Sequence, residues 1–432
     1  MMKPYAELNK NELEALEVTL TEEFEKAKAK KLKLDMSRGK PSSDQLDICM
    51  GLLDAASSRD HYISENGMDC RNYGALDGIR EAKKLLGDMI GIPAKNVIVM
   101  GNASLPIMYD MVAHSMMHGV CGTTPWYKLP RVRFLCPAPG YDRHFAVTEF
   151  YVIEMITVPM TPAGPDMDIV EKYVNEDDSV KGIWCVPKYS NPQGYTYSDE
   201  TVKRFAALKP AAEDFRIYWD NAYAVHDLDE KDCDVLYNIY DACREAGNPD
   251  IFFEFCSTSK ISFAGAGIAA VSASERNLEW IRSYMKIQII SYDKLNQLRH
   301  AYYFKNQYGI RLHMKKHAEI LRPKFEAVLF VLDKELAGLG IGEWTRPKGG
   351  YFISFEGMEG TAKKIVKKCK GAGVTLTEAG ATYPYGKDPR DSNIRIAPSF
   401  PSAGEMLEAA ELFALCVKLV SVEKLLAKKT EA

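Results

Sequence analysis

Apolar runs that do not alternate with polar residues constrain the fold of this chain more than any other feature. They stand at 97–100, 132–136, 151–158, 182–186, 215–219, 252–256 and 268–273, and most are β-branched or aromatic. A strand without polar alternation is buried on both faces, which in a soluble domain means a sheet covered by helices on each side. Helical segments separate several of the runs, as at 79–90 and 105–117. The pattern predicts an α/β body, a large and mostly parallel sheet between helical layers, over residues 51–300.

The flanks read differently. Residues 9–31 carry Leu13, Leu16, Leu20 and Phe24 at spacings of three and four, an amphipathic helix with one face to bury. From 296 to 336 the pattern is helical and long, crossing out of the sheet body. Short strands follow at 351–355, 374–376 and 393–396, with a closing helix at 403–427. A linking helix and a smaller α+β domain are therefore expected over 301–432, completed by an N-terminal helix and segment from 1–50. Two domains also suit a length of 432 residues, which exceeds one ordinary core.

Composition closes off other classes. A hydrophobic content of 46% with 26% charged residues is that of a soluble globular protein. A net charge of −4 gives no reason to expect nucleic acid or an anionic membrane as a partner. No apolar run approaches the roughly twenty residues of a bilayer span, and the polar, acidic N-terminal stretch does not read as a signal peptide. The ten cysteines are scattered, with no CxxC pair and no His/Cys clustering. Neither a disulfide frame nor a metal site is expected, and a cytoplasmic location is.

Candidate chemistry sits where the apolar runs stop. The run beginning Phe252-Phe253-Glu254-Phe255-Cys256 passes into Ser257-Thr258-Ser259, offers Lys260, and leaves through Gly265 and Gly267. A lysine desolvated at such a strand end is a neutral nucleophile that can form a Schiff base with an aldehyde cofactor; a surface lysine after a strand has the same local sequence. Asp220 ends the preceding run, with Tyr223 three residues on. Asn191 follows the run at 182–186, and Tyr141 follows the run at 132–136. Ligands of open α/β sheets bind at such strand ends. Each residue also has an ordinary reading: Asp220 as a helix cap, Tyr141 as a turn aromatic, Asn191-Pro192 as a turn. After the strand at 97–100, the small residues Gly101, Asn102, Ala103 and Ser104 lead into a helix, an arrangement that aims free backbone N–H groups at an anion.

Asn191-Pro192-Gln193-Gly194, Asp220-Asn221-Ala222-Tyr223, Ser257-Thr258-Ser259-Lys260 and the late Arg395-Ile396-Ala397 come in an order that resembles the class I and II aminotransferases of pyridoxal phosphate fold type I. The likeness covers nearly the whole chain. The forms at 37–41, 101–105, 139–144, 190–194, 257–267 and 395–401 look most like a divergent bacterial branch related to aspartate aminotransferase. The resemblance implies pyridoxal 5′-phosphate on Lys260, which then moves the substrate proton. It implies that Asp220 pairs with the ring nitrogen, which makes the ring a stronger electron sink. Asn191 and Tyr223 resemble the pair bonded to the ring oxygen, Tyr141 the stacking aromatic, and His144 the histidine behind the aspartate, although a core histidine reads equally well. Asn102, Ala103, Ser104, Ser257 and Ser259 resemble the phosphate cup. Tyr73 resembles a tyrosine that reaches the neighbouring subunit's phosphate, which implies a homodimer with shared active sites.

Arg395, with Asn191, resembles the clamp for a substrate α-carboxylate, a task suited to a planar guanidinium. For a distal carboxylate the first choice is Arg38, beside Gly39 in a segment that resembles one closing over substrate; Arg143 comes second, and Lys294 and Arg299 are weaker equivalents. One departure stands out. The family usually has an arginine eight residues past the lysine, and here that position is Ile268. The implied reaction is amino transfer between an L-amino acid, with aspartate or glutamate favoured, and 2-oxoglutarate or oxaloacetate, by ping-pong through pyridoxamine phosphate. The nearest rivals are a β-decarboxylase, a β-lyase or a cyclopropane-forming synthase on the same cofactor. A non-catalytic aminotransferase-like module of a transcription regulator is more distant, since it expects a DNA-binding domain ahead of the cofactor domain.

Overall fold

The computed structural model describes residues 3–57 and 61–431. In chain order its strands are β1 (Leu34–Asp35), β2 (Val97–Val99), β3 (Arg133–Ala138), β4 (Glu154–Thr161), β5 (Gly164–Pro165), β6 (Val180–Cys185) and β7 (Arg216–Asp220). There follow β8 (Phe252–Ser257), β9 (Ala269–Ser272), β10 (Gly342–Trp344), β11 (Ile353–Gly357), β12 (Val374–Thr375) and β13 (Asn393–Ile396). Eight of them form one sheet in the order β2-β9-β8-β7-β6-β3-β4-β5. The centre, from β4 through β3, β6 and β7 to β8, is parallel, while β9 runs antiparallel to both its neighbours and β5 antiparallel to β4.

The non-alternating runs are explained by what covers them. Ile183 and Cys185 of β6 and Ile217 and Trp219 of β7 pack into one apolar layer. Trp184 and Tyr218, the residues between them, pack into a second layer. Period-two alternation therefore divides these strands between two cores and leaves neither face to water. Because the central strands are parallel, the carboxyl ends of β3, β6, β7 and β8 open at one edge, where 139–144, 190–194, 220–223 and 257–260 emerge. A third apolar cluster lies outside the sheet body. It joins Leu13, Leu20 and Phe24 of the helix Lys10–Ala29 to Leu332, Phe355 and Phe413, beside the sheet β10-β11-β13 and the pair β1-β12. Among the described residues no helix is long and apolar enough to cross a membrane.

Several boundaries move by one or two residues, and two of the larger differences have a local cause. The strand expected at 151–158 is Glu154–Thr161, because Tyr151 and Val152 close the helix Asp142–Phe150 and Val152 takes a left-handed φ of 57°. The helix expected at 296–336 is two helices, Lys294–Phe304 and Gln307–Leu336. Lys305 turns the chain at φ 64°, and the Asn306 side chain accepts from Gly309 N to start the second helix. The strands β1, β5 and β10 are two or three residues long and leave no periodic signal.

The turn between β8 and β9 is held by histidines. Five of the chain's eight histidines are buried, and four of these bond to residues 258–262. His300 Nδ1 donates to Asn296 O at 2.8 Å, so its Nε2 accepts from Ser262 Oγ at 2.8 Å and Thr258 Oγ1 at 3.2 Å. His313 Nε2 meets Ile261 O at 2.8 Å, His317 Nε2 faces the same carbonyl and lies 3.1 Å from His313 Nε2, and His226 Nε2 lies 3.4 Å from Lys260 O. Burial holds all four below the ordinary imidazole range, His300 at about 4 and His317 at about 3.

This burial gives the fold an acid limit. The unfolded chain takes up these protons below about pH 6.5, while the folded chain resists them down to about 4 at His300. Stability therefore falls as pH drops through that window, by about 3 kcal/mol for His300 alone. Glu254 and Glu356 act in the opposite sense, because burial raises both carboxyls, that of Glu254 to about 8, and the fold gains protons there before the unfolded chain does; they are two sites against four. Urea titrations at pH 6.5 and 4.5 are expected to show a marked loss for the native chain and a shallower loss for His300→Gln. Equal slopes in the two proteins would refute the assignment.

Candidate active site

Asp220 is the last residue of β7 and is 3% exposed. Its Oδ2 lies 3.1 Å from His144 Nε2. That imidazole is stacked on Trp184 at 4.6 Å, and Tyr141 meets it edge-on at 4.9 Å. The helix carrying His144 is pinned where Thr148 Oγ1 donates to His144 O and accepts from Trp184 Nε1. The other carboxylate oxygen, Asp220 Oδ1, is buried without a hydrogen-bond partner among the described residues. A buried carboxylate oxygen in this condition is costly unless a donor arrives.

Lys260 lies three residues beyond β8, in the histidine-held turn rather than at the strand end itself. Its Nζ stands 5.0 Å from the centre of the Tyr223 ring and 6.0 Å from that of Tyr351. Burial lowers its ammonium below the ordinary lysine range, and attraction to the Asp220 carboxylate partly offsets this. The amine and the acid thus share one electrostatic environment. Tyr223 is buried, and burial, then Tyr141 and Asp220, drives its phenol far up. The Tyr141 phenol is raised to about 12, first by burial and next by Asp220. Both rings stay neutral donors at neutral pH.

Around Ser259 the phosphate-cup candidates come together. Ala103 caps the helix Ser104–His118, Ser259 Oγ donates to Asn102 O at 3.4 Å, and Ser257 Oγ donates to Ser259 Oγ at 3.1 Å. Gly267 permits this approach: a Cβ there would lie 2.8 Å from Thr258 Oγ1 and 3.1 Å from Asn102 O. Ile268 is a core residue, 1% exposed, and its backbone N–H donates to Thr258 Oγ1.

Arg395 on β13 reaches across to the sheet body. Its Nη1 donates to Asp142 Oδ1 at 2.8 Å and Asn191 Oδ1 at 3.1 Å, and its Nε and Nη2 donate to Thr377 Oγ1 at 3.3 and 3.2 Å. Thr377 Oγ1 in turn donates to Ser37 O at 2.7 Å. The guanidinium lies over Phe352 at 4.9 Å, and a Cβ on Gly39 would come within 2.5 Å of that same ring. The segment 37–39 is therefore laid against Arg395, with the Arg38 side chain exposed. Asp142 and Thr377 are members of the site that the sequence reading missed; Asp142 could have been found as the residue after Tyr141.

Other candidates make no hydrogen bond to these residues within the described chain, although the Arg143 charge is felt by Tyr141. Arg143 is exposed, Lys294 is buried against Ser291 Oγ at 3.2 Å, and the buried Arg299 Nε has no partner. Tyr73 is 74% exposed and makes no ring contact within the described chain.

A lysine and a buried acid at the edge of this sheet, with an arginine reaching in from β13, can be compared with known proteins. The family described as aspartate amino-transferase matches residues 8–429. A putative aminotransferase of Mycolicibacterium smegmatis is 44% identical over 98% of this chain and 100% of its own length. An aspartate aminotransferase of Corynebacterium glutamicum is 45% identical over 93% of this chain and 92% of its own. The crystal structure of an aspartate transaminase from Corynebacterium glutamicum superposes with a TM-score of 0.95 at 42% identity, covering 98% of this chain and 99% of that one. An α-aminoadipate aminotransferase from Thermus thermophilus, with a TM-score of 0.73 at 19% identity over 94% of this chain and 95% of that one, shares the fold. Sequence, superposition and near-complete coverage agree, and this chain belongs to the aspartate aminotransferase family.

Proposed function

We propose that the chain transfers an amino group between an acidic L-amino acid, aspartate or glutamate, and a 2-oxo acid, using pyridoxal 5′-phosphate held at Lys260. The observation that carries this reading is the buried, partnerless Asp220 Oδ1 beside an amine whose proton is loosened by burial. A protonated ring nitrogen is the donor that such an oxygen lacks. Bound there, the cofactor supplies an aldehyde for the amino group and a ring that accepts electrons from the substrate Cα.

The residues divide the remaining tasks. Lys260, with its lowered pKa, has a larger neutral fraction than an exposed lysine, so its amine can both bond the cofactor and carry a proton. Asp220 holds the ring nitrogen's proton, with His144 fixing the carboxylate from behind. Tyr223 and Asn191 are assigned to the ring oxygen, Tyr141 to the ring face. Asn102, Ala103 and Ser104 at the helix N-terminus, with Ser257 and Ser259, are assigned to the phosphate. The exposed Tyr73 is assigned to the phosphate of a second copy, in a homodimer with shared sites.

Arg395 is assigned to the α-carboxylate. On its Nε and Nη2 side it meets only a neutral hydroxyl, Thr377 Oγ1. A carboxylate arriving there exchanges a neutral acceptor for a charged one, which strengthens both bonds. Arg38, next to Gly39, is assigned to the distal carboxylate, with Arg143 second. The division expected from sequence enters here as well: a sheet unit over 51–300, a smaller unit over 301–432 with 1–50 joined to it, and the site between them.

Two tests follow. Native protein mixed with pyridoxal phosphate is expected to turn yellow and to form a borohydride-stable adduct that Lys260→Ala lacks; a colourless native protein would refute the cofactor. Arg395→Gln is expected to raise KM for aspartate and glutamate by at least roughly tenfold, with cofactor binding unchanged. Carbon dioxide or ammonia released without an added oxo acid would instead select the decarboxylase or lyase reading.

A further inference from the structure

The carbonyl next to Lys260 receives an unusual set of donors, and their polarity can be traced to one amide. Ser42 N–H donates to Gln45 Oε1 at 3.1 Å. A backbone N–H can only donate, so this bond fixes which end of the Gln45 amide is oxygen. The amide nitrogen then donates to Tyr351 Oη at 3.0 Å and to His317 Nδ1 at 2.9 Å. His317 Nδ1 is thereby an acceptor. Burial keeps this ring neutral, so its one proton sits on Nε2.

From Nε2 the proton faces both His313 Nε2, 3.1 Å away, and Ile261 O, and that carbonyl oxygen also lies 2.8 Å from His313 Nε2. Cys49 Sγ lies 3.4 Å from the same oxygen and 3.4 Å from His313 Nε2. Cys49, His313 and His317 bring their donor atoms within 4.8 Å of one another, the spacing of a small metal's ligand set. The amide polarity argues against that use, because a metal would need the lone pair of His317 Nε2, where the proton is.

We propose that Gln45 is a positioning residue for Lys260: it fixes the His317 tautomer that holds the Ile261 carbonyl, and so ties the N-terminal segment to the reacting amine. Both amide N–H groups act near Lys260, one through His317 and the other through Tyr351, whose ring lies 6.0 Å from Lys260 Nζ. The same stretch of chain begins at Ser37, whose carbonyl is bonded to the Thr377 hydroxyl that Arg395 holds. Substrate clamp and amine are therefore joined by the residues from 37 to 45. The inference rests on the proposed role of Lys260.

Imidazole nitrogen shifts of the ¹⁵N-histidine-labelled full chain, without cofactor, read the tautomer directly. Native His317 is expected to be protonated on Nε2, and Gln45→Glu, which keeps the acceptor for Ser42 and reverses the polarity toward His317, is expected to move the proton to Nδ1. Gln45→Met removes the donors without adding charge. Loaded with pyridoxal phosphate, it is expected to shift the pH midpoint of the visible absorbance by about one unit and to lower kcat about tenfold, with KM for aspartate within about twofold. A merely structural role would lower Tm and leave midpoint and kcat in place. Native His317 protonated on Nδ1 overturns the inference, as does Gln45→Met with the native midpoint and kcat. Native protein that forms no adduct overturns the functional reading, and the inference falls with it.

Discussion

Burial acts on an acid and an amine at the same sheet edge, and their attraction opposes it. Burial favours the neutral amine at Lys260, and the Asp220 carboxylate draws its proton affinity back upward, so that Lys260 is lowered but not released from the acid. Asp220 keeps one oxygen on His144 and one with no hydrogen-bond partner among the described residues. That vacancy would be a defect in a purely structural core. It makes sense where a cationic donor is to be received.

Parallel strands make this arrangement available. With β3, β6, β7 and β8 all emerging at one edge, four separate stretches of sequence deliver Tyr141, Asn191, Asp220 and Lys260 to one place without long loops. This part of the site was legible, because residue type and strand end together specify it. The resemblance to a family rested on those same residues. The distinction between strand and helix cap was less legible: Tyr151 and Val152 look like the start of a strand but close a helix, where an exposed valine at positive φ leaves no periodic trace.

What the sequence concealed are contacts between distant segments. Asp142 and Thr377 bond Arg395 from opposite sides, yet neither stands in a motif. The histidines of the Lys260 turn come from positions 226, 300, 313 and 317, and a buried histidine has no characteristic neighbours. His313 and His317 share a helix face by their spacing of four, a signal that identifies a pair but not what it holds. Scattered Cys and His residues suggested no cluster, although Cys49 Sγ lies 3.4 Å from His313 Nε2 in the fold and the Cys49, His313 and His317 ligand atoms fall within 4.8 Å of one another.

Neutral imidazoles suit the Lys260 turn better than charged side chains would. A lysine or arginine placed there would add a cation beside Lys260 and lower its proton affinity further, while a carboxylate would raise it and hold the amine in its ammonium form. A neutral imidazole contributes a directed donor and no net charge, provided that burial keeps it unprotonated, as it does for all four. The polar side of the turn is thus fixed by hydrogen-bond direction without net charge, and Asp220 remains the carboxylate whose attraction on the amine opposes its burial. Separating the forces that place Lys260 from the force that tunes it lets the fold hold the amine rigidly without deciding its charge.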